Sequence, residues 1–446
     1  MASTILQRTL GTPTNKKKLT ASMWLKKSFN GAEKHFFGIG TSGGYLDFRF
    51  ASTDELELYH YNSGYNFRLT TTRKFRDNNA WYHLVFTIDT SLATADDRFK
   101  VYVNGVQETV FTNRTNPSQN YELSANVSGN TINVGNYRSG GNSFDGLMSH
   151  VHFSDGYAYT PSSFGETDST TGEWKIKTSV TGVTYGTNGF WWLKDSIATT
   201  DHSPNSNTFT VASGTLTKTE DNPSNVFATG NFLIGVNSNG NALAPSFSNG
   251  NNTATATGSA WRVFKSTLGA SSGKYYAEFK WISDSNTRYA IVGICDEDEY
   301  ANKVSGFPLA HDMANGHAIY SEDGNYITGG NSTSFGSAFS STGDGIVGVA
   351  MDLDNSKVYF SSNGSWQGGG NPTNGTGGKS ITANKTYTFN VNIYSVGSIV
   401  YSANYGNGYF GTTAVSSAGS NASGIGIFEY DVPTGYTALS TKGLNL

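Results

Sequence analysis

Charged residues and long apolar runs are scarce in this chain of 446 residues. Charged residues make up 14% of the sequence, and the formal net charge is −4. A chain of this charge offers no basic surface to nucleic acid, so nucleic-acid binding is not expected. No apolar stretch reaches the roughly 18 residues that a membrane-spanning helix needs, so membrane insertion is not expected either.

Cysteine is almost absent, since Cys295 is the single one in the chain. A disulfide within the chain is therefore excluded. Cys295 ends the apolar run 290–295, where we expect it to be a small core residue. A chain without disulfides suits folding in a reducing cytosol. Residues 1–20 contain no apolar signal-peptide core, so no signal peptide is expected.

Helical periodicity is also nearly missing, whereas glycine, with 53 residues, and aromatic residues, at 13%, are abundant. Aromatic and β-branched residues favour strands, and Asn-Gly pairs favour tight hairpins. Asn104-Gly105 and Asn363-Gly364 each lie between alternating segments and predict two hairpins. Further strands are predicted over residues 20–28, 81–88, 131–135, 146–153, 189–193, 274–282, 289–295, 346–353 and 386–394.

The length suits two domains of roughly 200 residues each. A Ser-, Thr- and Asn-rich stretch with Pro204 and Pro223 separates the two strand-rich halves. We therefore predict domains over residues 1–195 and 231–446, joined by a connector over residues 196–230. The predicted fold class is all-β, with two antiparallel β-sandwiches in tandem.

The first half contains segments that resemble a known superfamily. Residues 81–89, 101–106, 144–147 and 149–153 resemble the laminin-G/concanavalin-A-like lectin superfamily. The resemblance covers about residues 4–165 and implies a jelly-roll sandwich, without indicating a ligand. Residues 261–262, 272–279, 290–294 and 348–354 of the second half resemble a SPRY domain. That resemblance implies a second sandwich, whose loops bind peptides or proteins.

Three other segments point to a biological setting. Residues 159–168, 185–190 and 428–436 resemble structural and tail proteins of environmental phages. This resemblance implies a virion surface protein, assembled in the host cytoplasm, that contacts other virion proteins. A tail-fibre or receptor-binding role toward a host glycan or protein is expected first. A capsid decoration, head-fibre or connector role is the alternative. Phage fibres also imply a homo-oligomer, with a trimer as the expected form.

Aromatic residues in predicted loops are the candidate contact residues, because amphipathic rings stack on sugars and anchor proteins. For each ring, local packing remains the alternative. The candidates are Tyr61 and Tyr65 in the first half and Tyr300, Tyr326 and Trp366 in the second.

Two acidic groups are candidates for binding calcium, which prefers oxygen ligands. One contains Asp89 and Asp96, and the other contains Asp296 and Asp298. Solvated loops are the alternative for both groups. No other cofactor is expected.

The sequence shows no catalytic constellation. The Glu-x-Asp-x-x-Glu spacing of glucanases with this fold is absent, and Glu55 and Glu57 are expected at a solvent-facing strand edge. No nucleophile elbow or phosphate-binding loop is present. We therefore expect a protein without enzymatic activity. A glycan depolymerase, with carboxylates brought together from distant strands, is the remaining alternative.

Overall fold

Alternation of inward apolar and outward polar residues builds strands throughout the chain, and nearly all of the strand pairs are antiparallel. The computed structural model describes residues 4–137, 141–194, 197–231, 233, 244–258, 260–284, 289–302, 312–338, 345–395 and 397–446. The chain divides into two compact units, unit 1 over Met1–Lys218 and unit 2 over Thr219–Leu446. The expected all-β fold class is confirmed.

Unit 1 contains sixteen strands in its described residues. They are β1 Ile5–Thr9, β2 Lys18–Lys27, β3 Lys34–Thr41, β4 Gly44–Phe50, β5 Glu55–Tyr61, β6 Tyr65–Lys74, β7 Tyr82–Asp89, β8 Phe99–Val103, β9 Val106–Gln107, β10 Phe111–Thr115, β11 Thr131–Val134, β12 Gly146–Asp155, β13 Gly165–Thr167, β14 Trp174–Ile176, β15 Phe190–Trp192 and β16 Thr210–Ser213.

Two sheets of unit 1 form a sandwich. The eight-stranded sheet has the order β10-β6-β5-β4-β3-β11-β1-β16, and the six-stranded sheet has the order β15-β12-β2-β7-β8-β9. Their inner faces share one apolar core, in which the rings of Phe48 and Phe86 lie 4.4 Å apart across the two sheets. Asn104 and Gly105 have φ angles of 48° and 81°, which confirms the predicted Asn-Gly hairpin between β8 and β9.

Unit 2 adds seventeen strands and one short helix in its described residues. They are β17 Ser246–Ser248, β18 Thr253–Thr257, β19 Ala260–Lys265, β20 Lys274–Asp284, β21 Tyr289–Asp296, α1 Glu297–Asn302, β22 Gly316–Tyr320, β23 Tyr326–Thr328, β24 Asn331–Thr333, β25 Ile346–Asp352, β26 Lys357–Ser362, β27 Ser365–Trp366, β28 Lys379–Ser380, β29 Tyr387–Ser395, β30 Ser398–Asn404, β31 Tyr409–Phe410, β32 Thr413–Ala414 and β33 Thr437–Ala438.

A second sandwich makes up unit 2. One sheet has the order β17-β18-β30-β20-β25-β26-β27, with β28 pairing with β26 and β33 with β20. The other sheet has the order β19-β29-β21-β22-β23-β24. The core between them includes Phe279 and Phe389, whose ring centroids are 6.1 Å apart. The predicted hairpin at Asn363-Gly364 joins β26 to β27 and is confirmed.

The last part of the chain packs on unit 2. Phe428, Val432 and Tyr436 form a second apolar cluster with Tyr276 and Tyr359. The buried carboxylate of Glu278 accepts hydrogen bonds from the backbone N–H groups of Glu429 (2.9 Å) and Tyr430 (2.8 Å). This segment is therefore a fixed part of unit 2.

Residues 196–230, expected as a connector, are divided between the two units. Strand β16 pairs with β1 and extends the eight-stranded sheet of unit 1. Phe227 and Ala228 are buried in the cores of unit 2. No helix in the described ranges has the length and apolar character needed to cross a bilayer.

Candidate functional site

The outer face of the eight-stranded sheet carries the largest group of tyrosine rings in unit 1. Strands β4 and β5 alternate, so that Leu46, Phe48 and Leu58 point into the core. Their neighbours in sequence, such as Tyr45 and Tyr59, therefore lie on the opposite, outer face. The strand pairing then brings residues of β4, β5 and β6 side by side.

Five rings form one continuous patch, which we call the tyrosine face: Tyr45, Tyr59, Tyr61, Tyr65 and Tyr137. The ring centroid of Tyr45 is 5.5 Å from those of both Tyr61 and Tyr137. Tyr65 lies 5.2 Å from Tyr59 and 5.6 Å from Tyr61. Tyr65 is 51% exposed, whereas Tyr59 is buried at 4%. The patch is thus anchored at its centre and open at the Tyr65 side.

A chain of alternating charges, the charged network, borders the tyrosine face. Glu57 contacts Arg68 (2.7 Å) and Arg49 (3.2 Å) through its two carboxylate oxygens. Arg49 also contacts Glu33 at 3.0 Å, and Glu33 lies 3.3 Å from Nε2 of His35. The network ends at Asp47, which contacts His35.

Asp47 connects the charged network to the tyrosine face. Its Oδ1 lies 2.9 Å from Nδ1 of His35, and Tyr59 hydrogen-bonds to the same carboxylate. Burial, followed by the negative charge of Asp47, raises the pKa of Tyr59 far above its usual value. Tyr59 is therefore a neutral hydroxyl that donates to Asp47.

Two arginines tie the charged network to the rings. The guanidinium carbon of Arg49 lies 5.1 Å from the Tyr59 ring centroid, and that of Arg68 lies 5.0 Å from the Tyr65 centroid. Burial opposes the charge of Arg49, but Tyr59, Glu57, Asp47 and Glu33 outweigh it, so the pKa of Arg49 is raised. The arginines thus hold the rings in place through cation–π contacts.

Two of the five aromatic candidates, Tyr61 and Tyr65, belong to the tyrosine face. Tyr326 is only 7% exposed, its hydroxyl is 2.6 Å from His317 Nδ1, and Lys379 covers its ring. Trp366 is half-buried against the cluster around Tyr276. The side chain of Tyr300, within α1, lies outside the described part of the chain.

Five residues of this site were not among the candidates identified in the sequence: Tyr45, Tyr59, Tyr137, Arg49 and Arg68. A signal was present for three of them, Tyr45, Arg49 and Tyr59, because Tyr45-x-Asp47-x-Arg49 and Glu57-x-Tyr59-x-Tyr61 alternate with mostly apolar residues. Tyr137 follows β11, which is far away in sequence and gives no such signal.

The expected position of Glu57 at a solvent-facing strand edge is wrong. Strand β5 lies between β4 and β6, and Glu57 is 3% exposed. Its burial is possible because two arginines neutralise its charge, whereas an unpaired buried carboxylate would be very costly.

Each proposed calcium position contains a carboxylate that already contacts a basic side chain. Asp89 lies 3.0 Å from Lys18, Asp96 lies 3.1 Å from Arg114, and buried Asp296 lies 2.8 Å from Lys385. Asp298 is exposed on α1. Over the described residues, no three His, Cys, Asp or Glu side chains are grouped to hold a metal ion. Calcium binding at these positions stays a prediction.

A hairpin, β13–β14, is fastened to the outer face of the six-stranded sheet by Trp174. The indole N–H of Trp174 donates to Nδ1 of His83 at 2.9 Å, and the two rings stack at 5.8 Å. A Cβ atom on Gly105 or on Gly165 would lie 2.5 Å from the indole ring. Only glycine at these two positions leaves room for the ring.

We expect Trp174→Ala to release this hairpin and to cost about 2–3 kcal/mol of stability, because the substitution removes both the ring packing and the hydrogen bond. Limited proteolysis followed by mass spectrometry should show faster cleavage in the exposed turn around Asp168–Gly172. Glu173→Ala, a change at an exposed neighbour, serves as the control. Equal cleavage of all three proteins would contradict the fastening role.

Residues 6–163 match the family model described as the concanavalin A-like lectin/glucanases superfamily. The resemblance drawn from residues 81–89 and 101–106 is thereby confirmed. Of the curated proteins, none matches the chain.

Several solved structures are similar to parts of the chain. A heptameric SAP-like pentraxin from Limulus polyphemus is 18% identical, with a TM-score of 0.27, over 36% of this chain and 72% of that one. Domain 4 of AbnA, a GH43 extracellular arabinanase from Geobacillus stearothermophilus solved with arabinotriose, is 20% identical, with a TM-score of 0.27, over 33% of this chain and 65% of that one. The SPRY domain of human HERC1 is 14% identical, with a TM-score of 0.25, over 34% of this chain and 87% of that one.

Proposed function

We propose that this chain is a non-enzymatic binding protein whose tyrosine face contacts a glycan or a protein. The observation that carries the proposal is the patch of five tyrosine rings, anchored by the buried Tyr59 and open at the exposed Tyr65. Tyrosine and arginine are the residues most often found at the energetic centres of interfaces. Rings with hydroxyl groups also suit the mixed polar and apolar faces of sugars.

The charged network supports a role in binding rather than in catalysis. A glycosidase needs one carboxylic acid that gives up a proton and a second carboxylate poised beside the sugar. Here Glu57 is held by two arginines, Glu33 by Arg49 and His35, and Asp47 by His35 and Tyr59. These carboxylates are therefore paired with neighbouring side chains and hold the tyrosine face in place.

For the biological setting, we propose a virion surface protein of a phage, with a tail-fibre or receptor-binding role toward the host. The resemblance of residues 159–168, 185–190 and 428–436 to phage proteins supports this setting. Assembly as a homo-oligomer, with a trimer as the expected form, and contacts with other virion proteins are parts of the same proposal. A capsid decoration or connector role is the second candidate. Electron microscopy of labelled particles separates the two by the position of the density.

Tyr65→Ala is expected to weaken binding to target cells or surface glycans at least thirtyfold, the effect of removing a ring worth about 2 kcal/mol at an interface centre. Tyr65→Phe should retain most of the affinity, since it keeps the ring. The measurement is the adsorption of purified full-length protein to a panel of bacterial cells and to an array of their surface glycans.

Tyr157→Ala is the matched control, because Tyr157 is also an exposed tyrosine of unit 1, at 37%, and lies outside the tyrosine face. If Tyr65→Ala binds as tightly as the unchanged protein to every positive target, the tyrosine face is not the contact surface. Release of reducing sugar from the same glycans would instead favour the depolymerase.

A further inference from the structure

Unit 2 carries a line of four aromatic rings across four adjacent strands of its six-stranded sheet. Trp261 on β19 pairs with Tyr394 on β29, and Tyr394 pairs with Tyr289 on β21. Tyr320 ends the next strand, β22. Successive ring centroids are 5.4, 5.9 and 6.0 Å apart. We call these four residues the aromatic row.

The rings of the aromatic row are half-buried, so each keeps part of its surface accessible. Trp261 and Tyr320 pack against the buried residues Ile291 and Ala318, which form a small apolar cluster separate from the core between the two sheets. This cluster supports the row from below. The position and tilt of the rings are therefore set by packing before any ligand arrives, which lowers the entropy cost of binding.

The spacing of the row matches a repeating ligand. One ring projects from each strand, and neighbouring ring planes are inclined by 24–45°. The result is a twisted strip, one ring wide, that follows the twist of the sheet. A linear polymer of flat, amphipathic units, each about as long as the distance between neighbouring strands, can lie along such a strip. Sugar rings in a linear glycan are units of this kind.

The polar groups near the row point to an uncharged glycan. The three tyrosines and the tryptophan bring hydroxyl and indole N–H groups that can hydrogen-bond to sugar hydroxyls. Two exposed acidic residues, Glu322 and Asp323, follow Tyr320, and Glu322 hydrogen-bonds to the Tyr320 side chain. Their negative charge disfavours uronate, sulfate or sialate groups at that end of the row.

We propose that the aromatic row is a second binding site, independent of the tyrosine face, for a linear neutral polysaccharide. A chain with one contact surface on each unit can bind a surface coated with glycan more tightly than either surface alone. The row was not among the aromatic candidates identified in the sequence, because its four members come from segments up to 133 residues apart (394 minus 261).

The test is affinity electrophoresis of the full-length protein in native gels that contain a soluble neutral polysaccharide: a mixed-linkage β-glucan, a galactomannan or glycol chitin. Alginate serves as the acidic polymer. Retardation is expected in at least one neutral gel and not in alginate. Tyr289→Ala, at the middle of the row, should weaken retardation about tenfold, equivalent to about 1.4 kcal/mol. Tyr289→Phe should restore it.

Tyr65→Ala in unit 1 separates this proposal from the proposed function, because it changes the tyrosine face and leaves the row intact. Tyr157→Ala, at an exposed tyrosine outside both surfaces, is the control that should not change retardation. Tyr320→Ala, at the end of the row, is the second variant if Tyr289→Ala lowers the melting temperature. No retardation in any neutral gel overturns the proposal, as does retardation in alginate alone. Retardation that is lost with Tyr65→Ala and kept with both row variants assigns the binding to unit 1 and also overturns it.

Discussion

Unit 1 is expected to unfold on acidification from pH 7 to pH 4, before unit 2 does. The cause is a set of buried histidines that stay neutral in the folded protein. Burial lowers the pKa of His83 to about 3 and that of His60 to about 4, and burial, with His150 and His83, holds the pKa of His152 well below its usual value. All three are at most 1% exposed.

The hydrogen bonds of His83 explain why the folded state resists its protonation. The indole N–H of Trp174 can only donate, so Nδ1 of His83 must be the acceptor. The proton therefore sits on Nε2, which donates to Ser22 Oγ at 2.9 Å. A second proton on Nδ1 would face the indole N–H and break that bond, and the β13–β14 hairpin would lose its attachment.

The sign of the pH dependence follows from these lowered pKa values. Above pH 6.5, the usual histidine pKa, neither state binds the extra protons, and the full stability is present. As the pH falls below 6.5, these histidines become protonated in the unfolded chain but stay neutral in the folded chain. The free energy of unfolding therefore decreases until the pH reaches the folded-state pKa values. His60 and His83 alone contribute a loss of about 6 kcal/mol at pH 4, a large part of the stability of an ordinary domain.

Hydrogen–deuterium exchange of the full-length protein, followed by mass spectrometry, measures each unit separately. Peptides covering β5 and β7 should lose protection between pH 6 and pH 4, after correction for the intrinsic exchange rate. The His60→Gln variant should take up about one proton fewer on unfolding in this pH range, so its loss of protection should be shallower. Val110→Ala, at an exposed residue of unit 1 that cannot titrate, should leave the loss unchanged. Full protection of β5 and β7 at pH 4 would contradict the argument.

Unit 2 is expected to keep a nearly constant stability between pH 6.5 and pH 4.5, because two buried groups act in opposite directions. Burial lowers the pKa of His317 to about 4, and burial raises the pKa of Glu278 to about 7. On acidification over this range, the titration of His317 lowers the free energy of unfolding by about 2 kcal/mol, and the titration of Glu278 raises it by about 2 kcal/mol.

The sign of the stability change that Glu278 causes follows from its raised pKa. Below about pH 4.5 the carboxyl is protonated in both states. Between that pH and about 7, the unfolded chain ionises first, so rising pH lowers the stability of the folded unit. The carboxylate is fully buried, and its hydrogen bonds come from Tyr276, Asn404 and the backbone of residues 429 and 430. These hydrogen-bond donors reduce the free-energy penalty of burying the ionised carboxylate but do not remove it.

Glu278→Gln should remove this compensation. Oε2 accepts from the N–H of Glu429 and Oε1 from that of Tyr430, so the single amide oxygen keeps only one of these bonds and the variant is less stable at every pH. Its side chain, however, no longer titrates. The variant should therefore lose about 2 kcal/mol between pH 6.5 and pH 4.5, whereas the unchanged protein stays level over that range.

Exchange of peptides covering β20 and β29 measures this difference in unit 2. Ile427→Val, a change at an exposed neighbouring residue without a titratable group, is the control and should show the same pH profile as the unchanged protein. A level profile for Glu278→Gln as well would show that Glu278 does not set the pH response.

Local residue patterns were enough to predict many of the strands, the two Asn-Gly hairpins and the resemblance that the family-model match over residues 6–163 supports. These features depend on alternation and turn chemistry within about ten consecutive residues, which a single sequence displays. The same locality explains why Tyr61 and Tyr65 could be placed together from the sequence, since they flank a short turn, whereas their role as contact residues stays a prediction.

Only the tertiary structure decided which polar and aromatic residues meet. Tyr45 and Tyr137 are far apart in sequence, yet their rings lie 5.5 Å apart. Glu57 is buried because β5 is paired with a strand on each side, and each of these two neighbouring strands carries an arginine that contacts Glu57. Strand order and register determine which of these side chains are in contact. Both depend on the packing of the whole core rather than on any local segment.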